Sequence, residues 1–172
     1  WALFSNSFDP DLTAKALADY ETRAALIGQI VHFVRLYDLD GINIDFENVY
    51  LKEKDPLTQF VREMVPLLHE LDAVVSMDVT IRGGSEMWSL FLDREELGKV
   101  LDYMIVMTYD EHWASSPMAG SVASLPWVEK GITDIMREDK VPASKLVLGV
   151  PFYTYMWTET TENGKTKVSS RA

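Results

Sequence analysis

The sequence of 172 residues contains no cysteine. Disulfides, thiolate metal centres and cysteine nucleophiles are thereby excluded. It also lacks basic surplus, since 16 Lys and Arg stand against 27 Asp and Glu, for a formal net charge of -11 and a pI near 4.6. A field of that sign repels nucleic acid and anionic membrane, so neither is an expected partner. No apolar run approaches the ~18 residues of a membrane span, and no basic segment followed by an apolar one opens the chain. The first residue is Trp1 rather than Met, so the sequence reads as a trimmed domain whose targeting segment would lie outside it. Linkers, low-complexity segments and repeats longer than a strand-helix unit are missing as well. What remains, 47% hydrophobic and 25% charged residues, describes a globular chain long enough for one core.

Short runs rich in β-branched, Met and aromatic residues alternate with stretches of helical period. WALFSNS (1 to 7), GINIDF (41 to 46), VVSMDVTI (74 to 81), YMIVMTY (103 to 109) and KLVLGVPF (145 to 152) are strand candidates. Leu26, Ile27, Ile30, Val34 and Tyr37 recur at helical spacing, as do Leu57, Phe60, Val61, Met64, Leu68 and Leu71. The second set follows Asp55-Pro56, which suits an N-cap and a proline at the first helical position. Shorter helices fit 93 to 100 and 125 to 137. The resulting βαβαβαβαβ order predicts an α/β fold with parallel strands, either covered by helices on both faces or closed into a barrel. Beyond Tyr153 the character changes, and YTYMWTETTENGKTKV predicts two strands about an Asn163-Gly164 turn. The chain therefore divides into 1 to 152 and a hairpin-bearing segment, 153 to 172.

The stretch DGINIDFEN (40 to 48) places polar side chains where a buried strand should be apolar. Residues two apart share a face of a strand, so Asn43, Asp45 and Glu47 project to one side and Ile42, Ile44 and Phe46 to the other. If the polar side is the inside of a barrel, Glu47 lies at the mouth where βα-barrel enzymes carry out chemistry. Burial there raises a carboxyl pKa, which makes Glu47 a general-acid candidate. A solvated strand face is the alternative, but parallel strands rarely have one.

Three motifs in order give these residues a context. DGINIDFE resembles the DGxDxDxE strand of family 18 glycoside hydrolases, the chitinase-like barrels, with Asp40, Gly41, Asp45 and Glu47 matching and Asn43 departing. MTYD at 107 to 110 resembles the family's sixth-strand M-x-Y-D, and GVPFY at 149 to 153 its seventh-strand G-x-P-x-Y. The longer stretches VMTYDEHW, KLVLGVPFY and DGINIDFENV are similar to the spore-germination and cortex-lytic branch of that family.

The resemblance implies a partial (β/α)8 TIM barrel covering strands three to seven, with the start of a small insertion after strand seven. A whole barrel takes about 250 residues. It also implies retaining hydrolysis in which the substrate's N-acetyl oxygen is the nucleophile, the substrate-assisted exception among glycosidases. Glu47 would then protonate the glycosidic oxygen and later deprotonate water. Asp45 would hold the acetamide and stabilise the cationic intermediate, and Tyr109 would donate to the acetamide oxygen. Asp110 and Tyr153 would bind sugar hydroxyls. Asn43, where many relatives carry Asp, can donate to Asp45 and spare the strand a like-charge clash, so that Asn43→Asp is expected to move the acidic limb of activity.

Asp40 and Gly41 read equally as turn residues and as site residues, and they are taken as structural support. Asp78, with Ser76 and Thr80, shares one parity and faces either the mouth or a hydrogen-bonded interior. Trp88, Trp113 and Trp157 follow strands, where indole faces could stack on sugars; Trp113 and Trp157 are the favoured sugar contacts. Trp127 sits in a helix and is expected in the core. Glu111 and His112 could be metal ligands with the strand carboxylates, but neighbours on a strand end seldom supply ligand geometry, so no metal and no cofactor is expected. His32 and His69 read as ordinary helix residues. The expected function is cleavage of β-1,4-linked N-acetylglucosamine polymers, peptidoglycan ahead of chitin, outside the cell at the wall or spore. The alternatives are a carbohydrate-binding pseudoenzyme and a metal-dependent hydrolase.

Overall fold

The computed structural model describes residues 1 to 163 and 165 to 171. Five strands, β1 (Ala2–Ser5), β2 (Gly41–Asp45), β3 (Val74–Thr80), β4 (Tyr103–Met107) and β5 (Leu146–Gly149), form one parallel sheet in sequential order. The helices are α1 (Pro10–Leu17), α2 (Tyr20–Tyr37), α3 (Lys54–His69), α4 (Arg94–Val100) and α5 (Leu125–Glu138). Crossovers of one hand between sequential strands put every helix on the same side of the sheet, the arrangement of a barrel; a doubly wound sheet requires the order to reverse. Five consecutive strands of a barrel are therefore present. Of the two arrangements open to the sequence, helices on both faces or a barrel, this order matches the barrel.

The core lies between sheet and helices. Ile42, Ile44 and Phe46 from the β2 segment, Val75, Met77 and Val79 from β3, and Met104 and Val106 from β4 are buried against Ile27, Ile30 and Val34 of α2, the stripe Leu57, Phe60, Val61, Met64 and Leu68 of α3, and Ile135 of α5. The other face of each strand turns inward, where Leu3 is 64% and Val147 43% exposed.

Local chemistry sets the helix boundaries. Asp9 accepts from the amides of Asp11 and Leu12 and caps α1 ahead of Pro10; Asp19 accepts from Thr22 and caps α2. The α1 helix has no counterpart in the periodicity reading. Its eight residues are too few to show a period. The α3 start also differs from expectation: a 3-10 turn, Leu51–Glu53, runs directly into the helix at Lys54, with Glu53 at the cap and Pro56 inside the first turn. Pro56 is tolerated there because first-turn amides have no intrahelical acceptor. Tyr37, assigned to the apolar stripe, is 65% exposed at the helix end, and Trp127 is only partly buried. No helix among the described residues is long and apolar enough to cross a membrane.

β6 (Met156–Glu162) and β7 (Lys165–Arg171) pair antiparallel as a separate two-stranded sheet. Asn163 adopts a left-handed conformation (φ 53°) at the connection, while Gly164 of the expected turn lies outside the described residues.

Arg94 braces the β3 to α4 connection from inside. It is 4% exposed, and its Nε donates to the Thr80 carbonyl at 2.9 Å while Nη2 donates to Thr80 Oγ1, Ile81 O and Ser89 Oγ. Burial pushes its pKa down to about 10, so it stays charged at neutral pH. Arg94→Met keeps the bulk and deletes all four donated bonds. Since each buried acceptor left without a donor costs about 1 to 3 kcal/mol, urea denaturation should show a loss of roughly 3 kcal/mol or more. An unchanged midpoint would show that the brace contributes nothing.

Candidate active site

The polar inner face of β2 continues across its neighbours. Asn43, Asp45 and Glu47 are partly buried, in alternation with the buried Ile42, Ile44 and Phe46. Asn43 registers with Ser76, and Ser5 with Asp45. Glu47 stands two residues beyond the strand, and its backbone is clamped by Asn6: the Glu47 amide donates to Asn6 Oδ1 at 3.1 Å, and Asn6 Nδ2 donates to the Glu47 carbonyl at 2.8 Å. Asn6 is 3% exposed and also donates to Thr13 Oγ1 of α1. Sequence reasoning missed Asn6; a polar residue just past the first strand was the available signal. Asn48, immediately after Glu47, has φ 56°, so the chain turns sharply once the carboxylate is presented.

Electrostatics distinguish the carboxylates. The Glu47 pKa is pushed up to about 7, first by burial and then by the charges of Asp45, Asp78 and Asp110. Asp78 rises to about 6; burial raises it, the Asn43 hydrogen bond opposes the rise, and Asp45 adds to it. Asp45 is raised by burial alone. The Tyr109 phenol is raised by burial and then by Asp78, Glu47, Asp45 and Asp110, so it remains a donor at neutral pH. Glu47 can therefore hold a proton at neutrality.

The expected Asn43 to Asp45 bond is not the one made. Asn43 Nδ2 donates to Asp78 Oδ2 at 2.7 Å, and Ser76 Oγ donates to Asn43 Oδ1 at 2.7 Å. Asp45 shares the face of Asn43 on β2, but the Asn43 side chain is engaged by β3: Ser76, its register partner, donates to its oxygen, and Asp78, two residues further on, accepts from its amide. The polar parity of Ser76 and Asp78 thus belongs to the mouth, whereas Thr80 is buried and bonded to Arg94.

On the β4 and β5 side, Asp110 adopts φ 64° and accepts from the Tyr153 hydroxyl at 2.7 Å. Burial first, and then that bond, raises the Tyr153 pKa. Aromatic rings run edge to face from Tyr109 to Tyr153 (6.3 Å), Tyr155 (5.8 Å) and Trp157 (5.6 Å). Tyr155 was not singled out from the sequence; its position between two selected aromatics was the signal. Trp157 donates to the Gly120 carbonyl, Trp113 is 49% exposed and donates to Ser115, and Trp88 is 41% exposed.

Gly41 has no room for a side chain, because a Cβ would stand 2.5 Å from the Val74 carbonyl oxygen. Asp40 is exposed, and its carbonyl accepts the Val74 amide. Both features support strand pairing. Glu111 accepts from the Ser124 amide and hydroxyl at the start of α5, and His112 meets the Ser121 carbonyl; both side chains are engaged in the loop after β4. Among the described residues no three His, Asp or Glu side chains converge as a metal site. His69 pairs with Asp102 at 2.9 Å on the exterior. Two surface concavities lie away from the acid ladder, one beside Lys54, Arg94 and Asp139 and one between α2 and α3.

Comparison with known proteins matches the description "Glycosyl hydrolases family 18" to residues 11–171. The glycosylase YvbX of Bacillus subtilis is 29% identical over 168 residues, covering 91% of this chain and 47% of that protein. A cortical fragment-lytic enzyme of Bacillus subtilis is 26% identical over 159 residues, covering 91% and 36%. The crystal structure of a sporulation-specific glycosylase, ydhD from Bacillus subtilis, superposes with a TM-score of 0.85 at 27% identity, over 99% of this chain and 57% of that one. The chain thus spans less than half the length of these curated relatives. With the family description matched along nearly the whole sequence, the chain belongs to glycosyl hydrolases family 18.

Proposed function

We propose that the protein is a retaining glycosidase acting on β-1,4-linked N-acetylglucosamine polymers by substrate-assisted catalysis, with peptidoglycan of the spore cortex or wall as substrate ahead of chitin. The observation that carries this reading is Glu47, whose pKa of about 7 leaves a proton to give at neutral pH at the end of an inward acid ladder. In this mechanism Glu47 protonates the glycosidic oxygen as the substrate's acetamide oxygen attacks the anomeric carbon. Asp45 takes the acetamide N-H and stabilises the cationic ring that forms, and Tyr109 donates to the acetamide oxygen. Glu47, now a carboxylate, removes a proton from the water that opens that ring and restores the configuration. Asp110 and Tyr153 bind sugar hydroxyls, Asn43 lines the same face, and Trp113 and Trp157 offer faces for stacking. No cofactor enters this chemistry.

Residues 1 to 152 form the barrel part in this reading, and 153 to 172 begin an insertion that adds aromatic surface beside it. The cortical fragment-lytic relative supports a cell-wall glycan and a place outside the cell, at the wall or spore. The test is release of reducing ends by the full-length protein from N-acetylglucosamine oligomers and from purified cortex and wall glycan, with and without chelator. Hydrolysis that survives chelation is expected. Binding without any release would favour the pseudoenzyme, and loss of turnover on chelation would favour a metal-dependent hydrolase.

A further inference from the structure

Asp78 belongs to neither the β2 motif nor the tyrosine pair, yet it stands among the site carboxylates. Its partners give it a defined state. Ser76 Oγ occupies Asn43 Oδ1, which turns Asn43 Nδ2 toward Asp78 Oδ2. A donated amide hydrogen favours the ionised carboxylate, whereas burial disfavours it. The groups that face Asp78 and Glu47 are Asn43 and Asp45 from β2, Ser76 from β3, and Tyr109 and Asp110 beyond β4, with Tyr153 bonded to Asp110. Among the described residues no lysine, arginine or histidine counts among the groups acting on Glu47 or Asp78.

We propose that Asp78 is a positioning residue of this site: the Asn43 amide holds it on the neighbouring strand so that its negative charge acts on Glu47. The proposal rests on the glycosidase reading for its purpose, which is to keep the acid loaded. Asn43 keeps Asp78 charged, Asp78 makes a second charge on Glu47 unfavourable, and the two strands carry jointly what one strand would otherwise have to hold alone.

Asp78→Asn isolates the charge, because the new amide oxygen can still accept from Asn43. In the full-length protein with carbon-13-labelled Glu side chains, the Glu47 carboxyl, assigned by its loss in Glu47→Gln, is titrated by NMR without substrate. Removal of a nearby like charge lowers a carboxyl midpoint by about 0.5 to 1 unit, so Asp78→Asn should move Glu47 down by that amount. The exchanged pair N43D/D78N keeps one carboxylate and one amide across the same hydrogen bond, and it should return the midpoint most of the way. A purely structural role would change thermal stability and leave the Glu47 titration of Asp78→Asn in place; that result, or an exchanged pair whose midpoint stays as low as that of Asp78→Asn, overturns the proposal. Because no turnover is needed, a wild type that titrates as expected but cleaves no glycan counts against the glycosidase reading alone. Where hydrolysis is seen, the alkaline limb of kcat/KM should move to lower pH with the NMR midpoint.

Discussion

Glu47→Gln in the full-length protein is expected to lower kcat on N-acetylglucosamine oligomers by roughly 10² to 10⁴-fold, the contribution of a positioned general acid. KM should change little. Glutamine matches glutamate in shape, and the Asn6 clamp holds the backbone of residue 47, so the substitution leaves that clamp in place. In the proposed mechanism it removes the proton given to the leaving oxygen and the carboxylate that later activates water. The wild-type kcat/KM should fall on the alkaline side as Glu47 loses its proton near its pKa of about 7. A Glu47→Gln enzyme with wild-type kcat would exclude Glu47 from the chemistry.

The same variant has a stability signature of opposite sign to its catalytic effect. Glu47 has a folded pKa above its ordinary value of 4.5. Such a group contributes stability that is fully present below the unfolded pKa and is lost as pH rises through the folded one. Between about pH 4.5 and 7, therefore, the wild type loses stability that Glu47→Gln does not. After allowance for solvent screening of a half-buried group, the variant should be more stable at pH 8 by ~1 kcal/mol. Denaturant melts at pH 4 and pH 8 check this; a variant no more stable at the higher pH would mean that Glu47 is not held against its charge.

Asp45→Asn should reduce kcat by about 10² to 10³-fold, the range for loss of one preorganised group facing charge that develops in the transition state. Asp45 faces inward between Asn43 and Glu47, and among the described residues no side chain hydrogen-bonds its carboxylate. It is thus available to a substrate acetamide. Asparagine can still accept the acetamide N-H, but it cannot offset the positive charge of the ring intermediate. The loss should therefore fall on kcat and leave KM within a few fold. A loss confined to KM would make Asp45 a binding group only. Burial raises the Asp45 pKa, so the wild type should lose activity on the acidic side earlier than an exposed aspartate would predict.

Much of the fold was legible because it depends on local alternation. The helical spacing of Leu57, Phe60, Val61, Met64 and Leu68 is a property of one segment, and all five are fully buried. The two faces of DGINIDFE follow from strand geometry alone, and burial divides Ile42, Ile44 and Phe46 from Asn43, Asp45 and Glu47 along that line. Errors appeared where local signals ended. α1 is too short to show a period and is held by a cap and by the Asn6 to Thr13 bond. Tyr37 has helical spacing, but at the last position of α2 it is exposed, with its ring stacked on Phe33.

The sequence by itself determined the α/β class, the parallel order of strands, the inward parity of the carboxylates and, through three motifs in order, the family. Tertiary structure alone decided the partners. Which residue meets Asn43 depends on the register of β2 against β3, and Asp78 lies 35 positions away. The Asn6 clamp on Glu47 spans 41 positions, and the Tyr153 bond to Asp110 spans 43. Side-chain parity is fixed by the geometry of a single strand, whereas register is set by packing between strands. For that reason the acid ladder could be read from the chain, while the charge across from it could be found only in the folded sheet.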